Sequence, residues 1–321
     1  MARKILTTSV VLLAVFSAIV SFRAARHETR AEAAYPPLGQ LLDVDGVQVH
    51  AVVMGPDDGS VPDLVLLHGA SGNVRDLTFS LAPRLADRYR VIVLDRPGLG
   101  YTDRINTTGA TLTQQADLLS RAATRLGAEK PIVMGQSYGG AVALAWAVHF
   151  PDRLSALVPV SAPSIPWSTP LDPFYRVTSS WWGKRLVVPM ITAFVPDSRI
   201  DRTLESIFAP QSVPEGYGSY VGAGLTLRRH TLRANADQRA NILDEITALE
   251  PLYPRVDVPT ELVHGDADTT VGLSIHSEKL VIRIPGATLT RLDGIGHMPQ
   301  HVAQDAVVAA IDRAAARAGL R

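Results

Sequence analysis

"PIVMGQSYGGAVALAW", Pro131–Trp146, decides how the rest of the chain is read. It starts as an apolar run of strand formers, passes through a serine set between glycines, and ends in an alanine-rich stretch that favours helix. A strand that turns at once into a helix holds its first turn residue in a strained conformation, and neighbouring side chains collide there unless they are glycine. Gly135 and Gly139 supply that clearance, so Ser137 is expected to project its hydroxyl from the tip of a sheet, with a helix N-terminus beneath it. The G-x-S-x-G spacing alone is a weak signal. Its position between strand and helix makes Ser137 a candidate nucleophile.

The flanking sequence supplies such a sheet. From Leu41 on, "LLDVDGVQVHAVVMG" carries Asp45-Gly46 between two strand-like runs, a hairpin signal. Six short apolar runs come after it: "DLVLLHG" from Asp63, "YRVIVLD" from Tyr89, "PIVMG" from Pro131, "LSALVPVSA" from Leu154, "TELVHG" from Thr260 and "ATLTRLDG" from Ala287. Runs of this kind suit parallel strands buried on both faces. Between them lie helical patterns, of which Thr111–Leu126 is the clearest: Thr111 and Gln114 form a capping box, the apolar side chains share a face, and Gly127 ends it. The expected class is α/β, a mostly parallel eight-stranded sheet with helices on both faces. Between Pro163 and about Pro259 the strand signal stops, and prolines, helical stretches and three of the four tryptophans take over. The expected division is a core over 41–163 and 256–321, with a helical cap inserted over 164–255.

A serine hydroxyl is a poor nucleophile at neutral pH and needs a base within reach, itself oriented by a carboxylate. Downstream strand ends offer both. "HGDADTTV" follows the strand at Thr260–Val263 and carries Asp266 and Asp268, while "GIGHMP" follows the last strand and carries His297. His264, His276 and His301 are solitary and lack metal-ligand spacing, so neither a metal nor a cofactor is expected.

Five stretches in one order carry a family resemblance: "HGASGN" (His68–Asn73), "DRPGLGYTD" (Asp95–Asp103), "GQSYGG" (Gly135–Gly140), "HGDADTTV" (His264–Val271) and "GIGHMP" (Gly294–Pro299). With them the chain resembles the α/β-hydrolase family from about Leu41 to its C-terminus. The resemblance implies a catalytic Ser137, Asp268 and His297, with Asp268 preferred over Asp266 because the family's G-x-x-D-x-x-V pattern falls on Gly265, Asp268 and Val271. It also implies an oxyanion hole made by the backbone N–H groups of Ala70 and Tyr138, and a structural place for His68. The implied reaction is acyl transfer to water on a small-molecule ester or lactone, with carbon–carbon hydrolysis or cofactor-free perhydrolysis as alternatives on the same three residues. A non-catalytic binding module of the same fold is a further alternative. Epoxide hydrolases and haloalkane dehalogenases need a carboxylate where Ser137 stands. Trp167, Phe174, Tyr175, Trp181 and Trp182 are the candidate lining of an apolar substrate pocket, while Glu205 and Glu215 read as surface charge.

Composition narrows the partners. Among 321 residues, 31 basic side chains balance 31 acidic ones, so no global field favours nucleic acid, and cysteine is absent, which removes disulfides and thiolate chemistry. At the N-terminus Arg3 and Lys4 precede "ILTTSVVLLAVFSAIVSF", Ile5–Phe22, eighteen residues without a charge. The run is long enough to span a bilayer and longer than a usual signal-peptide core, so residues 1–25 are expected to be a membrane anchor. Residues 26–40, polar and then Pro-rich, are expected to be a tether. The domain is expected outside the cytoplasm, or secreted or periplasmic if the segment is cleaved as a signal sequence.

Overall fold

The computed structural model describes residues 2–320, without the side chains of residues 2, 3 and 5; position 1 of the expected anchor and position 321 of the expected core lie outside the described residues. One sheet is built from β1 Gln40–Val44, β2 Val47–Met54, β3 Asp63–Leu67, β4 Arg90–Leu94, β5 Ile132–Gln136, β6 Ala156–Val160, β7 Glu261–Gly265 and β8 Thr288–Leu292. Their order across the sheet is β1-β2-β4-β3-β5-β6-β7-β8. β2 runs antiparallel to β1 and β4, and the remaining pairs are parallel. The hairpin turn falls on Asp45 and Gly46, both at positive φ, as the Asp-Gly pair requires.

Helices before the sixth strand are α1 Ala2–Ala34, α2 Val74–Thr78, α3 Leu81–Leu85, α4 Leu112–Arg125 and α5 Tyr138–His149. Between β6 and β7 come α6 Pro173–Ser179, a π turn at Gly183–Val187 that runs into α7 Val188–Phe194, α8 Asp197–Phe208, α9 Tyr217–Tyr220, α10 Ala223–Thr226 and α11 Arg229–Leu249. After β7 come α12 Ser277–Arg283, α13 Pro299–Val302 and α14 Gln304–Arg317. The period of two along each strand separates two apolar layers. Val65, Leu67, Ile92, Leu94 and Val133 pack with α4 and α5, while Leu64, Leu66, Val91, Val93 and Met134 pack with α2, α3 and α14. α4 has the capping box at Thr111 and Gln114, with Gly127 at positive φ just past its end.

Three expectations need correction. β8 is not a strand buried on both faces: as an edge strand it pairs on one side only, and its side chains are exposed or half-buried. Residues 26–34 are not a tether, because α1 continues unbroken to Ala34. That stretch, "RHETRAEAA", lacks Gly and Pro, and its acidic groups dock on the start of α11: Glu28 pairs with Arg229 and Glu32 with Arg228. Finally, the second half of α11 and the turn beyond it belong to the main core layer, through Ile242, Ile246, Leu249, Tyr253 and Val256, so a boundary at 255 cuts through packed structure.

Candidate active site

β5 ends at Gln136 and α5 begins at Tyr138, leaving Ser137 alone on the turn with φ 50° and ψ −122°. A non-glycine residue in that region costs on the order of 1–3 kcal/mol, so its surroundings must over-determine it. They do. The Ser137 N–H donates to the Val160 carbonyl (2.9 Å), and the Ser137 carbonyl accepts from the Gly140 N–H (2.8 Å). A Cβ at Gly135 would strike the backbone of Gly139 and Gly140, and one at Gly139 would strike the carbonyl oxygens of Leu67 and His68 at the end of β3. The two glycines therefore have different jobs: one lets the chain reverse, the other lets the new helix press against the neighbouring strand.

The loops after β7 and β8 bring the partners in. Gly265 at the end of β7 leaves room for the backbone of Ile295 and Gly296, and the Ala267 N–H donates to the Ile295 carbonyl (3.0 Å). His297 Nε2 then lies 3.0 Å from Ser137 Oγ, and His297 Nδ1 lies 2.7 Å from Asp268 Oδ2. Gln136, next to the serine, donates from Nε2 to the His297 carbonyl (3.0 Å) and ties the histidine loop to the turn. Ser137 is half-buried, whereas His297 and Asp268 are buried.

The Asp268 carboxylate is well partnered. Oδ1 accepts from the N–H groups of Thr270 and Val271, both at 2.8 Å, and Oδ2 faces His264 Nε2 at 3.2 Å as well as His297. Burial raises its pKa, but the hydrogen bonds from His264 and His297 outweigh burial and hold the carboxyl well below the usual range. An ionised Asp268 keeps the proton of His297 on Nδ1, which leaves Nε2 free to accept from the serine hydroxyl. Asp266, the other candidate, accepts instead from the Gly294 N–H (2.7 Å) and Arg291 (3.1 Å), shaping its own loop.

The turn after β3 closes the other side. Gly69 abuts Ser137, since a Cβ there would lie 3.2 Å from Ser137 Cβ. The N–H groups of Ala70 and Tyr138 meet no protein acceptor among the described residues. Ser71, at φ 58°, is bolted to the helices between β6 and β7: its N–H donates to Asn235 Oδ1 (2.8 Å) and its carbonyl accepts from Thr226 Oγ1 (2.6 Å). His68 is buried, donates through Nδ1 to the Gly69 carbonyl and accepts at Nε2 from the Arg96 N–H. Burial and nearby Arg96 push its pKa down to about 4, so it is a neutral structural link. The Tyr138 side chain points away from the serine, stacked under Arg96 at 4.2 Å. Among the described residues no group of three His, Cys, Asp or Glu side chains could hold a metal.

Of the five aromatic residues expected around a pocket, Phe174 and Tyr175 meet edge-on at 5.2 Å, and the other three make no ring contact with them or with one another. Trp167 is half-buried, edge-on to His276 at 5.6 Å, and Tyr175 is half-buried under Arg239. Phe174, Trp181 and Trp182 are exposed, Trp181 to 71%. Apolar character alone does not say which side of a helix faces inward, and Phe174, Trp181 and Trp182 face out. Glu205 and Glu215 are also exposed. Sequence reasoning missed Gln136, His264 and Asn235; the first two sit inside the motifs that carry Ser137 and Asp268, which was the available signal.

A family model described as alpha/beta hydrolase fold matches residues 62–304. A dihydrolipoyllysine-residue acetyltransferase component of an acetoin cleaving system from Cupriavidus necator is 37% identical over 134 residues, 42% of this chain and 33% of that longer protein, so the chain matches about a third of its length. Haloalkane dehalogenase 2 of Mycobacterium tuberculosis is 25% identical over 86% of this chain and 94% of its own. A bacterial membrane phospholipase A structure is 21% identical with a TM-score of 0.64, covering 98% of this chain and 99% of that one.

Proposed function

The chain belongs to the alpha/beta hydrolase fold family, and we propose that within it the protein is a serine hydrolase that cleaves a small apolar ester through an acyl-enzyme. The observation that carries this reading is the hydrogen-bonded line from Ser137 Oγ through His297 to Asp268, 3.0 Å and 2.7 Å, at the carboxyl ends of β5, β8 and β7. Ser137 Oγ attacks the ester carbonyl while His297 Nε2 takes its proton, and Asp268 stabilises the imidazolium that forms. The carbonyl oxygen gains a full negative charge, for which the free N–H groups of Ala70 and Tyr138 are the donors; losing one such donor costs about 3 kcal/mol of transition-state stabilisation. His297 then gives the proton to the departing alkoxide. Water, activated by the same imidazole, releases the acid and restores the serine.

The similarity to a dehalogenase does not transfer its reaction, because displacing a halide needs a carboxylate nucleophile and residue 137 is serine. Similarity to a membrane phospholipase A supports an ester substrate. α1 includes a stretch of 29 residues, Leu6–Ala34, long and apolar enough to cross a membrane, which supports anchoring of the domain at a bilayer. Asn235 and Thr226, in the helices between β6 and β7, hold Ser71 on the turn beside Ser137, which supports a cap over the serine. A fluorophosphonate probe is expected to label the full-length protein and not Ser137→Ala, and an ester series of varied acyl length to be turned over only by the former. Equal labelling of both, or none of either, would overturn the reading.

A further inference from the structure

α1 exposes a run of large apolar side chains from Leu6 to Phe22. Among the described residues beyond α1, such side chains are scattered singly, as Leu38, Leu41, Phe174, Ile275, Ile282 and Leu320 are, except in one place. Trp181, Trp182, Leu186, Met190 and Phe194 are all exposed, at 71, 49, 63, 44 and 44%, within fourteen residues of continuous helix. The last four stand four residues apart and so share one face. Singly exposed apolar residues need no explanation; a contiguous stripe marks a surface that is covered.

The place of the stripe in the fold identifies its cover. α7 packs against α1 where the apolar run of α1 ends: Val20 and Ala24 bury against Ala193, Arg23 Nε donates to the Ala193 carbonyl (3.2 Å), and the Arg23 guanidinium lies over the Phe194 ring at 4.8 Å. Ile5–Phe22 at about 1.5 Å per residue is roughly 27 Å, close to the thickness of a bilayer's hydrocarbon core. If α1 spans, Arg23 stands at the lipid–water boundary and Phe194 stands beside it. From there the stripe runs back to Trp181, whose ring carries the Arg185 guanidinium at 4.3 Å, and exposed Arg26 and Arg30 come next on α1. Tryptophan and arginine at the edge of an apolar surface suit the headgroup layer, where an amphipathic ring and a cation are both satisfied.

We propose that residues 181–194 form a second membrane contact, inserting Trp181, Trp182, Leu186, Met190 and Phe194 into the interfacial layer of the bilayer that α1 crosses. This rests on the reading of α1 as a membrane span. Helices inserted in plane would hold the insertion, and with it the approach to Ser137, at the lipid surface.

Tryptophan emission tests this directly, because α1 contains no tryptophan and the other two, Trp146 and Trp167, are buried and half-buried. Full-length protein is reconstituted into phosphatidylcholine vesicles with plain or brominated acyl chains, and flotation is scored alongside fluorescence. Brominated lipid is expected to remove most of the emission contributed by Trp181 and Trp182, and to leave the Trp181→Phe/Trp182→Phe variant almost unquenched. Protein that floats with the vesicles while its emission is unchanged by brominated lipid overturns the second contact and leaves the anchor standing. In that case a concentration-dependent pairing abolished by Leu186→Gln would identify a second copy of the chain as the cover of the stripe. Protein that does not float overturns the anchor and this contact together.

Discussion

His264, in β7, and Asp268, on the loop that follows it, stand four residues apart, and His264 Nε2 lies 3.2 Å from the same Asp268 oxygen that meets His297. Nε2 also faces the Val271 carbonyl at 2.7 Å, so it carries the proton, and Nδ1 accepts from the Ser277 hydroxyl at 2.7 Å. His264 is thus a positioning residue: it donates to a carboxylate that must stay fixed and ionised. A hydrogen bond to a charged group contributes about 1.5–3 kcal/mol. Replacing His264 with phenylalanine is expected to lower kcat roughly tenfold or more, since about 1.4 kcal/mol is a factor of ten, with little change in KM. His264→Asn, which keeps a donor, is expected to recover part of it. An unchanged kcat in a folded His264→Phe protein would show that His297 and the Thr270 and Val271 N–H groups hold Asp268 without it.

Gly139 and Gly294 make a paired test of why glycine is present. A methyl group at Gly139 meets the Leu67 and His68 carbonyl oxygens, and nothing flexible can yield. Gly139→Ala must displace the end of β3, and with it the Ala70 N–H, so a loss of about 1–3 kcal/mol in stability from overpacking should come with a larger fall in kcat. Gly294 sits at φ 69° with open space around its Cα. Gly294→Ala is expected to cost only about 1 kcal/mol, from backbone strain. Chemical denaturation and esterase kinetics on both variants check the contrast; equal effects would mean that the elbow tolerates a side chain.

Sequence was informative where one residue type has one physical job. Gly135, Ser137 and Gly139 could be read because a strand-to-helix turn tolerates little else, and Asp45-Gly46 because both positions need positive φ. Unbroken apolar runs in "DLVLLHG" and "YRVIVLD" placed the sheet, although not which strands lie at its edges, since edge position depends on crossovers that leave no local pattern. Sequence misled where the outcome depended on partners far along the chain. "RHETRAEAA" is polar enough for a tether, and only Arg228 and Arg229, some 200 positions away, make it a docked helix. In the same way Trp181 and Trp182 are apolar whichever way their helix faces.

The docked part of α1 predicts where truncation becomes costly. Residues 23–36 contribute Glu28 to Arg229 in a two-pronged pair (2.7 and 2.8 Å), Glu32 to the buried Arg228 (3.0 Å), the Tyr35 carbonyl to the Tyr101 hydroxyl (2.6 Å) and the Pro36 carbonyl to Arg75 (2.8 Å). Removing Glu32 takes the acid from the buried Arg228, but Glu32 is itself half exposed and Arg228 keeps the Leu225 and Gly100 carbonyls, so solvent screening makes the loss smaller than for a fully buried pair. Protein lacking residues 1–22 is expected to melt within a degree or two of the full chain in detergent, while removal of residues 1–36 is expected to lower Tm by several degrees. Equal melting temperatures would show that the docked segment contributes nothing to the core.

His276 sets a stability limit on the acid side. Its Nδ1 accepts from the N–H groups of Ser164 (3.1 Å) and Ile165 (3.2 Å), and Trp167 covers its ring, so the neutral form is the one that fits. Burial, then the neighbouring His264, push its pKa down from 6.5 to about 4. Above pH 6.5 the folded and unfolded chains are both neutral here, and His276 adds no pH dependence. As pH falls from 6.5 to about 4, the unfolded chain takes up a proton that the folded one refuses, and stability declines by up to about 3 kcal/mol. Asp268 acts later, because its lowered pKa gives stability that is lost only below the ordinary aspartate value of 3.8. His276→Asn keeps an acceptor for Ser164 and Ile165 but cannot protonate. Urea unfolding between pH 7 and 4 is expected to show a shallower decline for the variant, with the two proteins converging in slope above pH 7; parallel declines throughout would place the acid sensitivity elsewhere, with His68 the next candidate.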